Sequence, residues 1–313
     1  MVPQPGQPTM AGEMLNLSEP VCVAPAGDRC GEGAVWHEAE QAVYWCDINR
    51  FLIHRFDEKD KAVKSWFFDE PVTALALTDR DDTLAVALGS RVILWKPESD
   101  SRTDHHFRLE GWPYVRLNDG RADPRGSFWI GSMRNNVAAD GTAGEAGGTN
   151  GILFRIDPDG SITEWRRDIG ISNTLAWSPQ HDKFFFADTL VNEVRIYDYD
   201  KSSGDIREER PFLKDFPRGN PDGSAMDSEG YLWNCRYGGG CIVRVSPDGK
   251  VDRVIEMPVT NITTCIFGGP QLTTLYVTTA SNGVAATERL SGGLFAIQTN
   301  IKGLKEHRVK IAA

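Results

Sequence analysis

The chain repeats itself six times, and few architectures are open to a chain that does so. Each copy is a short apolar strand, a polar turn, then a strand rich in aromatic or β-branched residues. The copies are GAVWHEAEQAVYWCDI (33–48), TALALTDRDDTLAVAL (73–88), GRADPRGSFWIGSM (120–133), TLAWSPQHDKFFFADT (174–189), GSAMDSEGYLWNCRY (223–237) and CIFGGPQLTTLYVTTA (265–280). A second hairpin follows every copy, from FLIHRFDEKDKAVKSWFF after the first to GLFAIQTNIKGLKEHRVKI after the sixth.

Turn chemistry supports strands. Asp-Gly pairs and Gly-rich punctuation fall at hairpin spacing, and Trp, Phe, Tyr, Val and Ile fill the runs between. No segment keeps a helical period over three turns. Two hairpins make four strands, and six such units predict an all-β fold: a six-bladed β-propeller with four-stranded antiparallel blades. A sandwich would not explain a sixfold repeat. The expected organisation is a disordered N-terminal tail over 1–20 and one propeller domain over 21–313.

Composition narrows the function. Among 313 residues, 34 Lys+Arg face 44 Asp+Glu, a net charge of -10 that disfavours nucleic acid and anionic membrane as partners. No apolar run approaches the ~18 residues of a membrane span. The N-terminus carries Pro and Gly where a signal peptide would be basic and then apolar, so a cytoplasmic protein is expected. The six cysteines contain no C-x-x-C pair and read as reduced, mostly buried thiols. No heptad or swap element argues for an oligomer, so a monomer is expected.

In a propeller the first strand of each blade lines the central channel, and equivalent positions form rings about its axis. Aligned by repeat phase, the residues before the apolar stretches are Glu32, Val72 or Thr73, Asn118, Asn173, Asp222 and Thr264. Two carboxylates and two amides then share one end of the channel. Carboxylates that close repel each other unless a cation joins them. Oxygen donors of this type suit one divalent ion: Ca, Mg or Mn, with Zn or Fe(II) also in range. The alternative is that Asn and Asp before Gly merely shape strand entries. The longest irregular insertion, NNVAADGTAGEAGGTNG (135–151), is either a solvated loop or a lid over one mouth of the channel. His105 and His106, adjacent in an outer strand, are expected in solvent. Trp112, before Pro113 and outside the repeat pattern, is a candidate pocket wall.

The segments GEGAVWH, RLNDGRADPRGSFWIGSM, ISNTLAWS, NPDGSAMDSEGYLWNCRYGGG and CIFGGP are together similar to the gluconolactonase and senescence-marker-protein (regucalcin) family, closest in flavour to its bacterial sugar lactonases. The resemblance spans roughly residues 30 to 310. It implies a six-bladed propeller with one divalent metal at the channel mouth. Carried over, it makes Glu32, Asn173 and Asp222 metal ligands, Asp222 the acid/base, and Arg116 and Asn118 substrate contacts. Some members carry a substrate-binding Glu shortly after the G-[ST]-M triplet. Here Asn136 falls at that position, which changes the expected pattern of hydroxyl recognition.

The implied reaction is metal-assisted hydrolysis of a small-molecule sugar lactone to the aldonic acid. The same metal ring would serve a phosphotriesterase- or arylesterase-like hydrolase with other pocket residues. A non-enzymatic calcium-binding propeller is the alternative from a different class, and it would have no use for Arg116 and Asn118 beside the ring.

Overall fold

The computed structural model describes residues 15–311. It contains six four-stranded antiparallel sheets arranged as the blades of a β-propeller. The helical content of the described residues is a single 3-10 turn, Thr189–Val191. Blades 1 to 5 each run outward in chain order through four consecutive strands. Their innermost strands are Gly31–His37, Val72–Leu77, Val115–Ala122, Ser172–Trp177 and Asn220–Met226, and that of blade 6 is Asn261–Gly268.

Blade 6 differs from the sequence expectation. A second hairpin made wholly from its C-terminal stretch is not what forms. Leu294–Gln298 supplies the third strand, and the fourth is Val21–Ala24 from the other end of the chain, antiparallel to it. This joins the two ends of the chain in one sheet and closes the ring, leaving no open edge between first and last blades. Of the expected tail, residues 1–14 lie outside the described residues. Leu17 pairs with Thr299, and Leu15 and Leu17 pack against the core beside blade 6.

The blades hold together through buried aromatic residues with satisfied polar ends. Trp45, Trp129 and Trp233 are fully buried, and each indole Nε1 donates to a buried carboxylate: Asp28 at 2.7 Å, Asp123 at 3.0 Å and Asp227 at 2.9 Å. A buried indole needs such a partner, so the recurring Trp and Asp form one packing device. Trp112 is not a pocket wall. It packs over Gly89, where a Cβ would sit 2.5 Å from the indole. His105 is buried rather than solvated, and burial pushes its imidazole down to about 4.

One irregularity recurs in every blade. The register of the innermost strand slips near its start: between Glu32 and Val35, Val72 and Ala74, Leu117 and Gly120, Asn173 and Ala176, Pro221 and Ser224, and Ile262 and Cys265. A bulge breaks the strict alternation of faces and re-aims the side chains beside it. The positions aligned by repeat phase all fall at these slips.

After blade 6 the chain crosses the opposite end of the channel. Gly303 bridges to Asp227 of blade 5 and Val309 to Thr78 of blade 2. Lys305 pairs with Glu38 of blade 1 at 2.8 Å, and the Lys310 amide donates to Gly126 O of blade 3 at 2.9 Å. Residues 303–310 thus strap four blades and plug that end.

Candidate active site

A cavity of about 500 Å³ opens at the unplugged end of the channel. That volume is ordinary for a small-molecule site. Glu32, Arg116, Asn118, Asn136, Asn173 and Asp222 all line it. Thr264 and Thr73 do not, although both are at least nine-tenths buried. Thr264 instead faces the next strand, where a Cβ on Gly223 would fall 2.0 Å from its Oγ1. Four of the six aligned positions therefore meet in the pocket, and blade 2 contributes no side chain to it.

Each acid is followed by a glycine that the local packing requires. Gly33 has φ of +61°, and a Cβ there would lie 3.1 Å from Ala74 Cα of blade 2. Gly223 has no room for a side chain against Thr264. The glycines let neighbouring innermost strands converge, which brings Glu32 and Asp222 together.

Glu32 and Asp222 are 7% and 6% exposed, and no Lys, Arg or His is ion-paired with either among the described residues. Burial, then the charge of Asp222, pushes Glu32 well above the ordinary carboxylate range. Burial pushes Asp222 up to about 8. Asp119, deeper in the channel, is raised to about 6 by burial. Arg116 and Arg236 act on the Glu32–Asp222 pair only at a distance, with no ion pair, and two adjacent desolvated carboxyls are costly unless a ligand offsets the cost.

The amides around them are fixed. Asn173 Nδ2 donates to Thr189 Oγ1 at 2.8 Å, and that hydroxyl donates to Pro221 O at 2.8 Å. Asn173 Oδ1 accepts from Asn118 Nδ2 at 3.1 Å. Asn118 Oδ1 in turn accepts from Arg116 Nη1 at 2.6 Å. Arg116 Nη2 donates to Asn136 Oδ1 at 3.0 Å, while its buried Nε has no hydrogen-bond partner. Burial lowers Arg116 to about 10, so it stays cationic at neutral pH. Two carboxylates and an oriented amide oxygen form an all-oxygen donor set, which fits a hard divalent cation. No group of three or more His, Cys, Asp or Glu side chains is so placed among the described residues, so a cation bound here would need amide oxygens as well.

A second ring surrounds the first. It is built where the second strand of each blade ends: Asn49, Asn136, Thr189, Tyr237 and Asn282, from blades 1, 3, 4, 5 and 6. Antiparallel pairing sets the end of each second strand beside the start of the first. The same repeat phase, applied one strand outward, is the signal that would have found these residues. Cys30 also lines the cavity, and all six cysteines are free thiols.

The insertion at 135–151 forms part of the pocket wall, with Ala143, Gly144, Glu145 and Ala146 lining the cavity.

Residues 30–281 match the SMP-30/gluconolactonase/LRE-like region model. The chain is 32% identical over 290 residues to a pentonolactonase of Haloferax volcanii, covering 90% of this chain and 94% of that protein. It is 32% identical over 295 residues to human regucalcin, covering 90% and 95%. The crystal structure of a calcium-binding protein, regucalcin, from Agrobacterium tumefaciens superimposes with a TM-score of 0.85 at 26% identity, covering 93% of this chain and 97% of that one. With a six-bladed propeller, an acid-and-amide ring at one mouth and a family match along most of its length, the chain belongs to the SMP-30/gluconolactonase/LRE-like family.

Proposed function

We propose that the protein hydrolyses sugar lactones, opening the ring of an aldonolactone to the aldonic acid. The observation that carries this reading is the chemistry of the pocket. Its floor holds two adjacent unpaired carboxyls, and its rim is a ring of side-chain amides and hydroxyls. Such a rim suits a polyhydroxylated substrate, which both donates and accepts hydrogen bonds. Among the lining residues Tyr237 is the single aromatic, so the wall offers little surface to an aryl leaving group. The name of the Haloferax volcanii relative, a pentonolactonase, points the same way.

Glu32, Asn173 and Asp222 would hold one divalent cation, and the Agrobacterium relative's description as calcium-binding supports a cation of this class. When bound, such a cation polarises the lactone carbonyl and stabilises the negative charge that develops on its oxygen. Arg116, held by Asn118 and Asn136, orients the substrate and faces that charge. Asp222 takes a proton from the attacking water as the water oxygen bonds to the carbonyl carbon. It returns that proton to the ring oxygen as the acyl C–O bond breaks. The carboxylic acid so formed releases its remaining proton to solvent, and the product leaves as a carboxylate with one new hydroxyl.

The test is a pH-stat screen of glucono-, xylono-, arabinono- and galactonolactones. The protein is first stripped with EDTA, then loaded with Ca, Mg, Mn, Zn or Fe(II). At least one lactone is opened, and one divalent ion binds per chain. The reading is overturned if no lactone is opened with any ion, and replaced if an aryl ester or phosphotriester is cleaved instead.

A further inference from the structure

Blade 2 brings no side chain to the pocket, and the long insertion of blade 3 fills its place. The insertion is pinned at three points. At its root, the Gly144 amide donates to Asn136 O at 2.7 Å. In its middle, Val137 pairs with Ala143. At its tip, Gly141 O accepts from Arg29 at 3.2 Å and from Asn49 Nδ2 at 2.9 Å, both from blade 1. The tip cannot carry a side chain, because a Cβ on Gly141 would fall 2.0 Å from Asn49 O. A Gly- and Ala-rich segment that reads as flexible is therefore held across the mouth from blade 3 to blade 1.

What this segment presents to the cavity is Ala143, Gly144, Ala146 and one charged group, Glu145. The amides nearby already make hydrogen bonds within the wall. Asn136 Oδ1 serves Arg116 and its Nδ2 turns to Gly144 O at 3.4 Å. Asn49 bonds Gly141 through its Nδ2 and accepts from Asn282 at 3.3 Å through its Oδ1. Asn136, expected to read substrate hydroxyls, also ties the insertion to Arg116. Glu145 lines the cavity and is exposed, and none of these contacts uses its carboxylate.

We propose that Glu145 accepts hydrogen bonds from hydroxyls of the substrate on the blade 2 side of the pocket, and so makes the protein selective for hydroxylated lactones. The inference rests on the lactone-hydrolase reading. A carboxylate offers two acceptor oxygens at a spacing that matches a pair of neighbouring hydroxyls, and charged acceptors form the stronger hydrogen bonds. The analogue that lacks the hydroxyl forfeits this charge-assisted hydrogen bond, and water takes its place on the exposed carboxylate.

The experiment compares wild type with Glu145→Ala and Glu145→Gln. The ligands are xylonolactone, its deoxy analogues lacking one hydroxyl each, and γ-butyrolactone. Compounds that are not turned over are scored as competitive inhibitors by Ki. Glu145→Ala is expected to lower kcat/KM on xylonolactone about ten-fold, mainly through KM, the loss of a hydrogen bond to a charged group. Glu145→Gln should fall between. For γ-butyrolactone and for at least one deoxy analogue the effect should vanish. An equal loss on hydroxylated and unsubstituted lactones, or no loss on any, overturns the proposal while leaving lactone hydrolysis intact. A wild-type protein that opens no lactone removes the reading itself, and this proposal with it.

Discussion

The two ends of the channel bury charge in opposite ways. At the plugged end, Arg121 is enclosed with its partners: Glu306 of the strap at 3.4 Å, Ser224 O at 2.8 Å and Leu175 O at 3.3 Å. At the open end, Glu32 and Asp222 are as deeply enclosed and face each other. The same six strands build both ends. The difference is that the strap brings the far end an ion-pair partner, whereas the near-end arginines, Arg116 and Arg236, are bonded to amides and leave the two acids without one. A protein tolerates a buried acid pair with no ion-pair partner where a ligand repays it, which supports the proposed site at the near end.

The largest effect separating the two ends comes from Asp222. Asp222→Asn keeps the shape and removes the group proposed both as base and as one of the two charged cation donors. Lactone hydrolysis should fall by about a thousand-fold or more, in the range of losing a general base together with metal ligation. The metal-free variant should nevertheless unfold at a higher temperature than the metal-free wild type, since one of two repelling buried carboxyls is gone. Thermal unfolding in EDTA beside a pH-stat assay reads both. A variant that is inactive and also less stable without metal would place Asp222 with the satisfied charges of the far end, and the contrast would break.

Thr189 tests a finer part of the same contrast. Its hydroxyl accepts a hydrogen bond from Asn173 Nδ2 and donates one to Pro221 O, which fixes the amide with Oδ1 on the side of Asn118. Thr189→Val keeps the volume and removes the hold. Cation affinity, measured by calorimetry, should weaken about ten-fold to a hundred-fold, the range for partners that orient metal ligands. Overall stability should change far less. Unchanged affinity would mean that Asn118 alone orients the amide.

Much of this was legible in the sequence because a propeller converts period into position. Glu32, Asn118, Asn173 and Asp222 stand at one phase of a repeat, and equal phase means equal height on one axis. The same logic misplaced Thr264. A bulge adds a residue to each innermost strand, and its exact placement decides which of two neighbours turns inward. Thr189, Tyr237 and Asn282 were missed because the repeat phase was followed along the first strands and not along the ends of the second ones. Glu145 lies in an insertion that has no counterpart in the other copies. The fourth strand of blade 6 was hidden for another reason: Val21–Ala24 is far from its partners in sequence, and local pattern carries no information on which distant strand will close a ring.

The smallest predicted effect is a difference in sign between the ends as pH changes. In the metal-free protein Asp222 has its carboxyl raised from 3.8 to about 8 by burial. Between those values the folded state keeps a proton that the unfolded chain has lost. Its contribution to stability is therefore fully present below about pH 4 and is lost as pH rises toward 8. At the far end His307 is lowered from 6.5 to about 4, by burial and then by His181, with Arg121 acting in the same direction and Asp123 against. There the unfolded chain binds the extra proton, so stability is lost as pH falls from 6.5 toward 4. The stability difference between Asp222→Asn and wild type should thus grow with rising pH, and that between His307→Gln and wild type with falling pH. A saturating divalent ion should flatten the first slope, because it replaces the proton between Glu32 and Asp222. It should leave the second unchanged, because the strap end already holds its own charges in balance. Chemical denaturation across pH, with and without the ion, separates the two. If the ion flattened both slopes alike, the ends would be one coupled electrostatic system joined through Asp119, not two sites with separate roles.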